Sequence, residues 1–300
     1  MGDTAWVAGA VRARALAGRC VGVPGARGIA GCPNLAEAVG RLDGTALAGD
    51  GTDPQRAVEK SFLWRMRVLA GWLPPSGVGS LRALSAWFEI RNIEEHLRHV
   101  SGRDAPAPYR LGALGVAWSR LAGTATPDEL RTALSRSGWG DPGGTDAGTV
   151  ALALRLAWAR WVIVAAPEAR PWAVAAVAQL VARERWLLGR PLAPPVVPRA
   201  CTLLGAGALR ASSWPGFVAA VPTAARWAFD DLTGPEDLWR AQPRWWRRVE
   251  RDGERMLHGG RLDRRVVLGA VAVCAADAWR IRAALACAEA GDVAAFDELV

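Results

Sequence analysis

Apolar residues in this chain recur at the three- and four-residue spacing of an α-helix, and the alternation typical of a β-strand is almost absent. Two successive stripes of this kind are predicted to face a core: Phe62, Met66, Leu69 and Leu73, then Leu81, Leu84, Phe88, Ile93, Leu97 and Val100. The 19 prolines cluster between such stretches, at 74–75, 106–108 and 191–198, where they stop helices. The run 126–129 predicts a helix start, with Thr126 as N-cap and Pro127 in the first turn. We therefore predict an all-α fold.

The composition predicts a chain that folds without crossing a membrane. Apolar residues make up 51% and charged residues 22%, as in ordinary soluble proteins. The most apolar stretches, 172–182 and 266–276, are shorter than the roughly 20 residues that a membrane-spanning helix needs. A third stretch, 150–167, is interrupted by Arg155 and Arg160. No transmembrane segment is therefore expected.

The N-terminal region and the cysteines predict a non-secreted protein. Arg12, Arg14 and Arg19 lie inside the first apolar region, so no basic-then-apolar signal peptide is expected. The cysteines are odd in number, widely scattered and without a C-x-x-C pair: Cys20, Cys32, Cys201, Cys274 and Cys287. Such a pattern is typical of reduced, packed thiols. We expect a cytoplasmic protein.

A weak internal repeat predicts three similar helical modules. An apolar-x-x-Ala-apolar motif occurs three times: Leu35–Val39, Leu130–Leu134 and Phe217–Val221. At a similar distance after each motif stands an acid with an apolar residue within the next four positions: Glu89, Glu184 and Asp277. We predict modules at 1–104, 105–196 and 197–300, with boundaries near proline-rich segments. A repeat protein of this kind typically offers a shaped binding surface.

No motif for catalysis or cofactor binding is found in the sequence. The only lysine, Lys60, has no glycine near it, which excludes the G-x-x-x-x-G-K-[ST] phosphate loop. His96 and His99 could share a helix face, but a transition-metal site needs further ligands. The neighbouring carboxylates Glu94 and Glu95 point apart on a helix, as do those of Asp230 and Asp231. We predict a non-catalytic chain with no metal, nucleotide or organic cofactor.

Five groups of residues, spread along the chain, form a recognisable combination: Val11–Leu16, Asn34–Leu42 followed by Thr45, Glu89–Ile93 with Leu97 and Arg98, Ala276–Arg282, and Gly291–Val300. Together they resemble the central-rotor adaptor of V-type and A-type ATPases, a family found in both prokaryotic and eukaryotic complexes. The resemblance covers essentially the whole chain. Glu89 stands where many members of the family have an aspartate.

The resemblance implies a funnel of three pseudo-repeated helical modules that couples two other parts of a rotary pump. The implied partners are the central-shaft subunits and the membrane proteolipid ring, in proton or sodium transport. The implied location is peripheral, on the cytoplasmic face of the membrane, through protein contacts. The repeat-signature residues are interpreted as helix-packing groups rather than partner contacts: Glu89, Asn92, Glu184, Asp277 and Arg280.

A basic, tryptophan-containing cluster keeps a second hypothesis open. The chain has a formal net charge of +8, and residues 244–251 read RWWRRVER. Within it, the candidate interface residues are Arg244, Trp245, Trp246, Arg247 and Arg248. One interpretation is a helix face whose arginine stems cover apolar neighbours. The alternative is a basic helical nucleic-acid-binding or scaffold protein, although no nucleic acid is expected as a partner of the rotor adaptor.

Overall fold

The computed structural model describes residues 4–42 and 53–300, and of Thr4 the backbone alone. Thr45, part of the family resemblance, lies outside the described residues. Within the described ranges the chain consists of helices and connecting loops with no strand, which confirms the predicted all-α class. The three-module funnel stays a prediction.

Sixteen α-helices are found in the described residues. In chain order they are α1 (Thr4–Ala17), α2 (Gly22–Ala30), α3 (Leu35–Gly40), α4 (Pro54–Ala70), α5 (Pro75–Val100), α6 (Trp118–Leu121), α7 (Pro127–Ser135), α8 (Ala147–Ala165), α9 (Arg170–Ala182), α10 (Val197–Leu204), α11 (Ala206–Arg210), α12 (Trp214–Ala220), α13 (Thr223–Arg226), α14 (Leu238–Leu257), α15 (Arg264–Ala290) and α16 (Val293–Leu299). Short 3₁₀ turns occur at Gly112–Leu114, Pro167–Ala169, Trp227–Phe229 and Pro235–Asp237, and a π-helical segment at Arg183–Leu187.

Helix starts follow the capping chemistry of the sequence. The Thr126 side chain accepts a hydrogen bond from the backbone N–H of Glu129, and Pro127 occupies the first turn of α7, as the sequence predicts. Asp53, Asp146 and Asp263 cap α4, α8 and α15 in the same manner. These acceptors satisfy backbone N–H groups that have no partner inside the helix.

The chain forms two compact units, of which the first combines Met1–Val78 with Trp246–Val300. Its central element is α15, which packs against α1, α2, α3, α4 and α16. The backbones of α14 and α15 approach each other closely, because a Cβ built on Gly269 would lie 2.5 Å from the Gly253 carbonyl oxygen. Glycine is therefore required at position 269 for this packing.

The second unit is Gly79–Trp245. One of its cores brings together apolar side chains of α5, α7 and α8, which include Ile90, Ile93, Leu130, Leu134, Val150 and Leu154. Helix α9 packs against α8, α10 and α13. The segments 106–108 and 191–196 are non-helical connections, as the sequence predicts. The predicted segment 191–198 ends two residues too late, because Pro198 lies in the first turn of α10, and Pro75 likewise begins α5. Proline is tolerated in the first turn of a helix, where its missing N–H has no intrahelical partner.

Helix α8 is long and apolar enough to cross a membrane by length and composition alone. It is the one helix of the described residues that meets this test, and 44% of its most apolar window is buried within the protein. A buried core helix has the same composition, so a single such helix is weak evidence for a span. Arg155, in the middle of α8, forms an ion pair with Glu94 of α5.

Candidate functional site: buried carboxylate anchors and exposed helix faces

Glu89 of α5 is a fully buried carboxylate that holds a neighbouring connection in place. Its Oε2 accepts the backbone N–H of Val116 at 2.6 Å, and its Oε1 accepts that of Ala117 at 2.8 Å. The indole N–H of Trp139 donates to the same Oε1 at 2.9 Å. A buried charge is tolerated when donors of this kind surround it. Glu89 therefore fixes the backbone just before α6.

Asn92, one turn further along α5, holds the same connection at a second point. Its amide nitrogen donates to the Tyr109 carbonyl at 3.0 Å, and its amide oxygen accepts the Tyr109 N–H at 2.7 Å. The side chain is fully buried. The Asn92 and Glu89 contacts together hold the segment 107–119, which borders a surface recess of about 580 Å³. Arg110 and Trp118 of this segment are among the residues that line the recess.

Asp277 of α15 is the equivalent anchor of the first unit. Its two carboxylate oxygens accept the backbone N–H groups of Val21 at 2.9 Å and Gly22 at 2.8 Å, at the start of α2. Arg280 lies beside it at 3.4 Å and also donates to Glu250 of α14. Asp277 and Arg280 are both buried. A buried charge is costly without a partner, and here each of the two charges lies within reach of an opposite one. A carboxylate at the N-terminus of α2 also interacts favourably with the helix dipole.

Glu184 lies in different surroundings from the other two acids. It is half-buried in the π-helical segment, and its Oε2 lies 4.0 Å from the Arg190 guanidinium. Its neighbour Arg185 donates instead to the carbonyl oxygens of Ala208 and Ala211, at 3.0 and 2.9 Å. In this part of the chain a guanidinium therefore holds the C-terminal end of α11, whereas Glu89 and Asp277 hold N–H groups at helix starts.

Three helix pairs carry a matching cap and burial pattern. The pairs are α2–α3, α6–α7 and α11–α12, and the second helix of each is capped by a side chain: Asn34, Thr126 and Ser213. Four residues after each cap lies a buried residue: Ala38, Leu130 and Phe217. Eight residues after each cap lies another: Leu42, Leu134 and Val221. In the first pair the two buried positions are Ala38 and Leu42, whereas the motif found in the sequence begins at Leu35, three residues before Ala38. Leu35 and Val39 are only partly buried. The motif is therefore shifted by three residues from the buried positions of this pair.

The basic cluster lies on α14 and has its tryptophans packed inward. The Trp245 indole N–H donates to the Trp172 carbonyl at 2.8 Å, and Trp246 stacks on Trp279 with 5.7 Å between ring centres. The two tryptophans therefore contribute to packing within the protein.

The arginines of the cluster differ in exposure. Arg248 is paired with Asp252 at 2.9 Å, and Arg244 lies 3.8 Å from Asp231. Arg247 and Arg251 are exposed, one helical turn apart. The part of the cluster open to a partner is therefore its arginine face.

His96 and His99 lie near each other on α5 in the second unit. The His96 ring nitrogen Nε2 lies 2.9 Å from the Thr124 hydroxyl, and burial lowers the pKa of His96. The His99 ring lies 6.3 Å away, centre to centre. Across residues 4–42 and 53–300, no three His, Cys, Asp or Glu side chains are arranged to hold a metal ion.

Comparison with known proteins adds no assignment, because no protein-family model matches the chain and no curated protein matches it significantly.

Several partners of the anchors were missed by the sequence reasoning. The donors to Glu89 are two backbone groups and Trp139, and no side-chain pattern marks a backbone donor. The Asn92 to Tyr109 pair had one usable signal, since Tyr109 is the only tyrosine of the sequence and comes directly after Pro106 and Pro108. The acids themselves were identified by their recurrence.

Proposed function

We propose that this chain is a non-catalytic rotor adaptor of a V/A-type rotary ATPase, which couples the central shaft to the membrane proteolipid ring. The observation that carries the proposal is where the family-like residues lie. Glu89 and Asp277 are the two buried anchors, and Asn34 caps one of the three matching helix pairs. The resemblance therefore falls on the groups that set the positions of helices, and these are what a chain built to present binding surfaces needs.

The adaptor role accounts for the contrast between buried and exposed charges. Glu89 and Asp277 are satisfied by backbone N–H groups inside the protein. The exposed charge is predominantly arginine, as at Arg247 and Arg251 of α14. Exposed arginines suit acidic faces of partner proteins, where interfacial charge sets association rate and specificity more than affinity. The partners would be shaft and ring components, and the location the cytoplasmic face of the membrane.

The test is reconstitution of the rotary complex with and without this chain. We expect ATP hydrolysis by the soluble catalytic head to continue without it, and ATP-driven proton or sodium movement to stop. Both rates are measured on the same preparation. Transport that continues without the chain would contradict the coupling role, and loss of hydrolysis by the isolated head would indicate a different one.

A matched pair of variants examines the basic face of α14 in the same assay. Arg247→Ser with Arg251→Ser removes two exposed charges from α14, and Arg103→Ser with Arg136→Ser removes two exposed charges elsewhere. We expect the first variant to assemble more slowly than the wild type, with a difference in rate that grows at low salt, and the second variant to change little.

Binding to a DNA duplex, measured by fluorescence anisotropy, distinguishes the adaptor role from the nucleic-acid-binding alternative. Strong, salt-dependent binding that is lost in the first variant would favour a nucleic-acid role.

A further inference from the structure

Two cysteines of the first unit lie next to each other although they are 254 positions apart in the chain. The Sγ of Cys20, in the turn between α1 and α2, is 3.7 Å from the Sγ of Cys274 in α15. Both are free thiols; Cys20 is half-buried and Cys274 is buried. The two thiols are therefore adjacent, and Cys20 is the more exposed of the two.

The surroundings hold the two thiols in this position. Asp277 lies one helical turn after Cys274 and accepts the N–H groups of Val21 and Gly22, the two residues that follow Cys20. A disulfide requires about 2.05 Å between the sulfur atoms. A shortening of this size from 3.7 Å is within the reach of side-chain rotation. The Asp277 contacts therefore keep the pair ready for bond formation.

A hydrogen bond between the two thiols favours the thiolate form of one of them. The Cys20 S–H donates to Cys274, and this hydrogen bond together with the positive charge of Arg65 lowers the pKa of Cys274, against the opposing effects of burial and of the nearby Asp277 carboxylate. The same hydrogen bond and burial raise the pKa of Cys20. Because a thiolate is the nucleophile in thiol chemistry, Cys274 is the thiol that reacts first and Cys20 the one that keeps its proton.

We propose that Cys20 and Cys274 form an oxidation site at which hydrogen peroxide converts the two thiols into an intramolecular disulfide. This inference is independent of the rotor-adaptor role. The other cysteines lie elsewhere: Cys32 and Cys287 are buried in the core of the first unit, and Cys201 belongs to the second.

The chemistry balances with peroxide as the two-electron oxidant. The Cys274 thiolate attacks one peroxide oxygen, the O–O bond breaks, and the product is a sulfenic acid plus hydroxide. The Cys20 sulfur then attacks the Cys274 sulfur, the S–O bond breaks, and a second hydroxide leaves. Each hydroxide takes up a proton, one of them from Cys20. Two thiols and one peroxide therefore give one disulfide and two waters.

The disulfide would join the two separate chain segments that make up the first unit. Cys20 belongs to Met1–Val78 and Cys274 to Trp246–Val300. A cross-link that closes a long loop restricts the unfolded chain strongly. We expect the oxidised protein to melt at least about 5 °C higher than the reduced one.

The test treats the reduced full-length chain with hydrogen peroxide, blocks remaining thiols with N-ethylmaleimide and digests with trypsin. The expected product is a link between the peptides 20–27 and 266–280, detected by mass spectrometry and lost on reduction. Free thiols counted after denaturation should fall from the five of the sequence by two. On a non-reducing gel the oxidised monomer should migrate faster, because its unfolded form contains a closed loop.

Two variants serve as controls. Cys20→Ser removes a half-buried thiol and should abolish the link and the rise in melting temperature. Cys201→Ser removes a thiol of similar exposure from the second unit and should leave both unchanged. Absence of the linked peptides, a link to another cysteine, or only disulfide-bonded dimers would overturn the proposal. A link without a rise in melting temperature would overturn its stabilising effect.

Discussion

Glu89 and Glu184 fit the same sequence pattern and lie in opposite environments. Glu89 is fully buried on a regular α-helix and accepts three N–H groups. Glu184 is half-buried in a π-helical segment, with Arg190 at 4.0 Å. The pattern of an acid followed by an apolar residue is common to both. The environment is decided by whether a neighbouring connection brings its backbone donors to the carboxylate.

The comparison with Asp277 strengthens this point. Asp277 sits in the other unit, on a different helix, and again accepts two successive backbone N–H groups, those of Val21 and Gly22. Glu89 holds the start of α6 and Asp277 holds the start of α2, and each of these is the first helix of its pair. At Glu184 the corresponding helix, α11, is held at its other end by Arg185. The same sequence pattern therefore marks a carboxylate that accepts backbone N–H groups at Glu89 and Asp277, whereas near Glu184 a guanidinium that donates to carbonyl oxygens holds the helix instead.

The largest expected effect comes from removing the anchors themselves. Glu89→Ala leaves three donors without an acceptor, two of them on buried residues, and should lower the free energy of unfolding by about 3–5 kcal/mol. The matched variant Glu184→Ala should cost less than about 1 kcal/mol, because a partly exposed ion pair contributes little. The measurement is urea unfolding followed by circular dichroism. Similar losses for the two variants would show that the two acids are equivalent after all.

A milder variant guards against simple failure to fold. Glu89→Gln keeps one acceptor oxygen and nearly the same volume, and it should cost about 1–3 kcal/mol. A cost for Gln as large as that for Ala would mean that charge, and not the number of acceptors, dominates at this site.

The second prediction concerns Asn92, which holds the same connection as Glu89. Asn92→Ala breaks two buried hydrogen bonds to Tyr109 and should cost about 2–3 kcal/mol. His99→Ala, an exposed position on the same helix, should cost within about 0.5 kcal/mol. Because both anchors act on one segment, the double variant with Glu89→Gln should be less destabilised than the sum of the single variants. Strict additivity would contradict a shared role.

The third prediction examines the guanidinium that holds α11. Arg185→Met removes two hydrogen bonds to carbonyl oxygens and should cost about 1–2 kcal/mol. Arg185→Lys should recover little of this loss, because a single ammonium does not reproduce the guanidinium fork. Arg183→Met, at an exposed neighbouring position, is the control. Full recovery by lysine would show that only the charge is needed.

The smallest effect is expected at an exposed carboxylate cap. Hydrogen bonds from the Thr149 backbone N–H and hydroxyl lower the pKa of Asp146. The stabilisation by the Asp146 cap is therefore fully present at pH values above the ordinary carboxyl pKa. It is lost as the pH falls through the lowered pKa of Asp146 in the folded protein. Asp146→Ala should cost about 1 kcal/mol at neutral pH, and this cost should shrink below about pH 4.

Asparagine at position 146 provides the control for that pH dependence. Asp146→Asn keeps a capping oxygen without a titrating group, so its stability should lack the change in this pH window. Melting temperatures of the three proteins between about pH 2.5 and pH 7 measure the difference across the ordinary carboxyl range. A gap between wild type and Asp146→Ala that stays constant over the whole range would contradict the electrostatic part of the cap.

Local signals in the sequence were enough to predict the fold class, the start of α7 and the recurring acids. Helical spacing and proline clusters are such signals, and they were sufficient for an all-α prediction. Thr126 and Pro127 predicted the start of α7 because capping involves residues three positions apart. Composition left open whether residues 244–251 form a helix face whose arginine stems cover apolar neighbours or a binding patch, and it did not predict that Trp245 and Trp246 pack inward.

Which acids became anchors and which cysteines became neighbours depended on tertiary packing. Val21 and Asp277 meet across 256 positions, and Cys20 and Cys274 across 254. Backbone N–H groups are the same at every residue except proline, so the sequence carries no mark of the ones that a distant carboxylate will accept. Long-range contacts arise from the packing of whole helices, and neither helical period nor motif spacing contains that information.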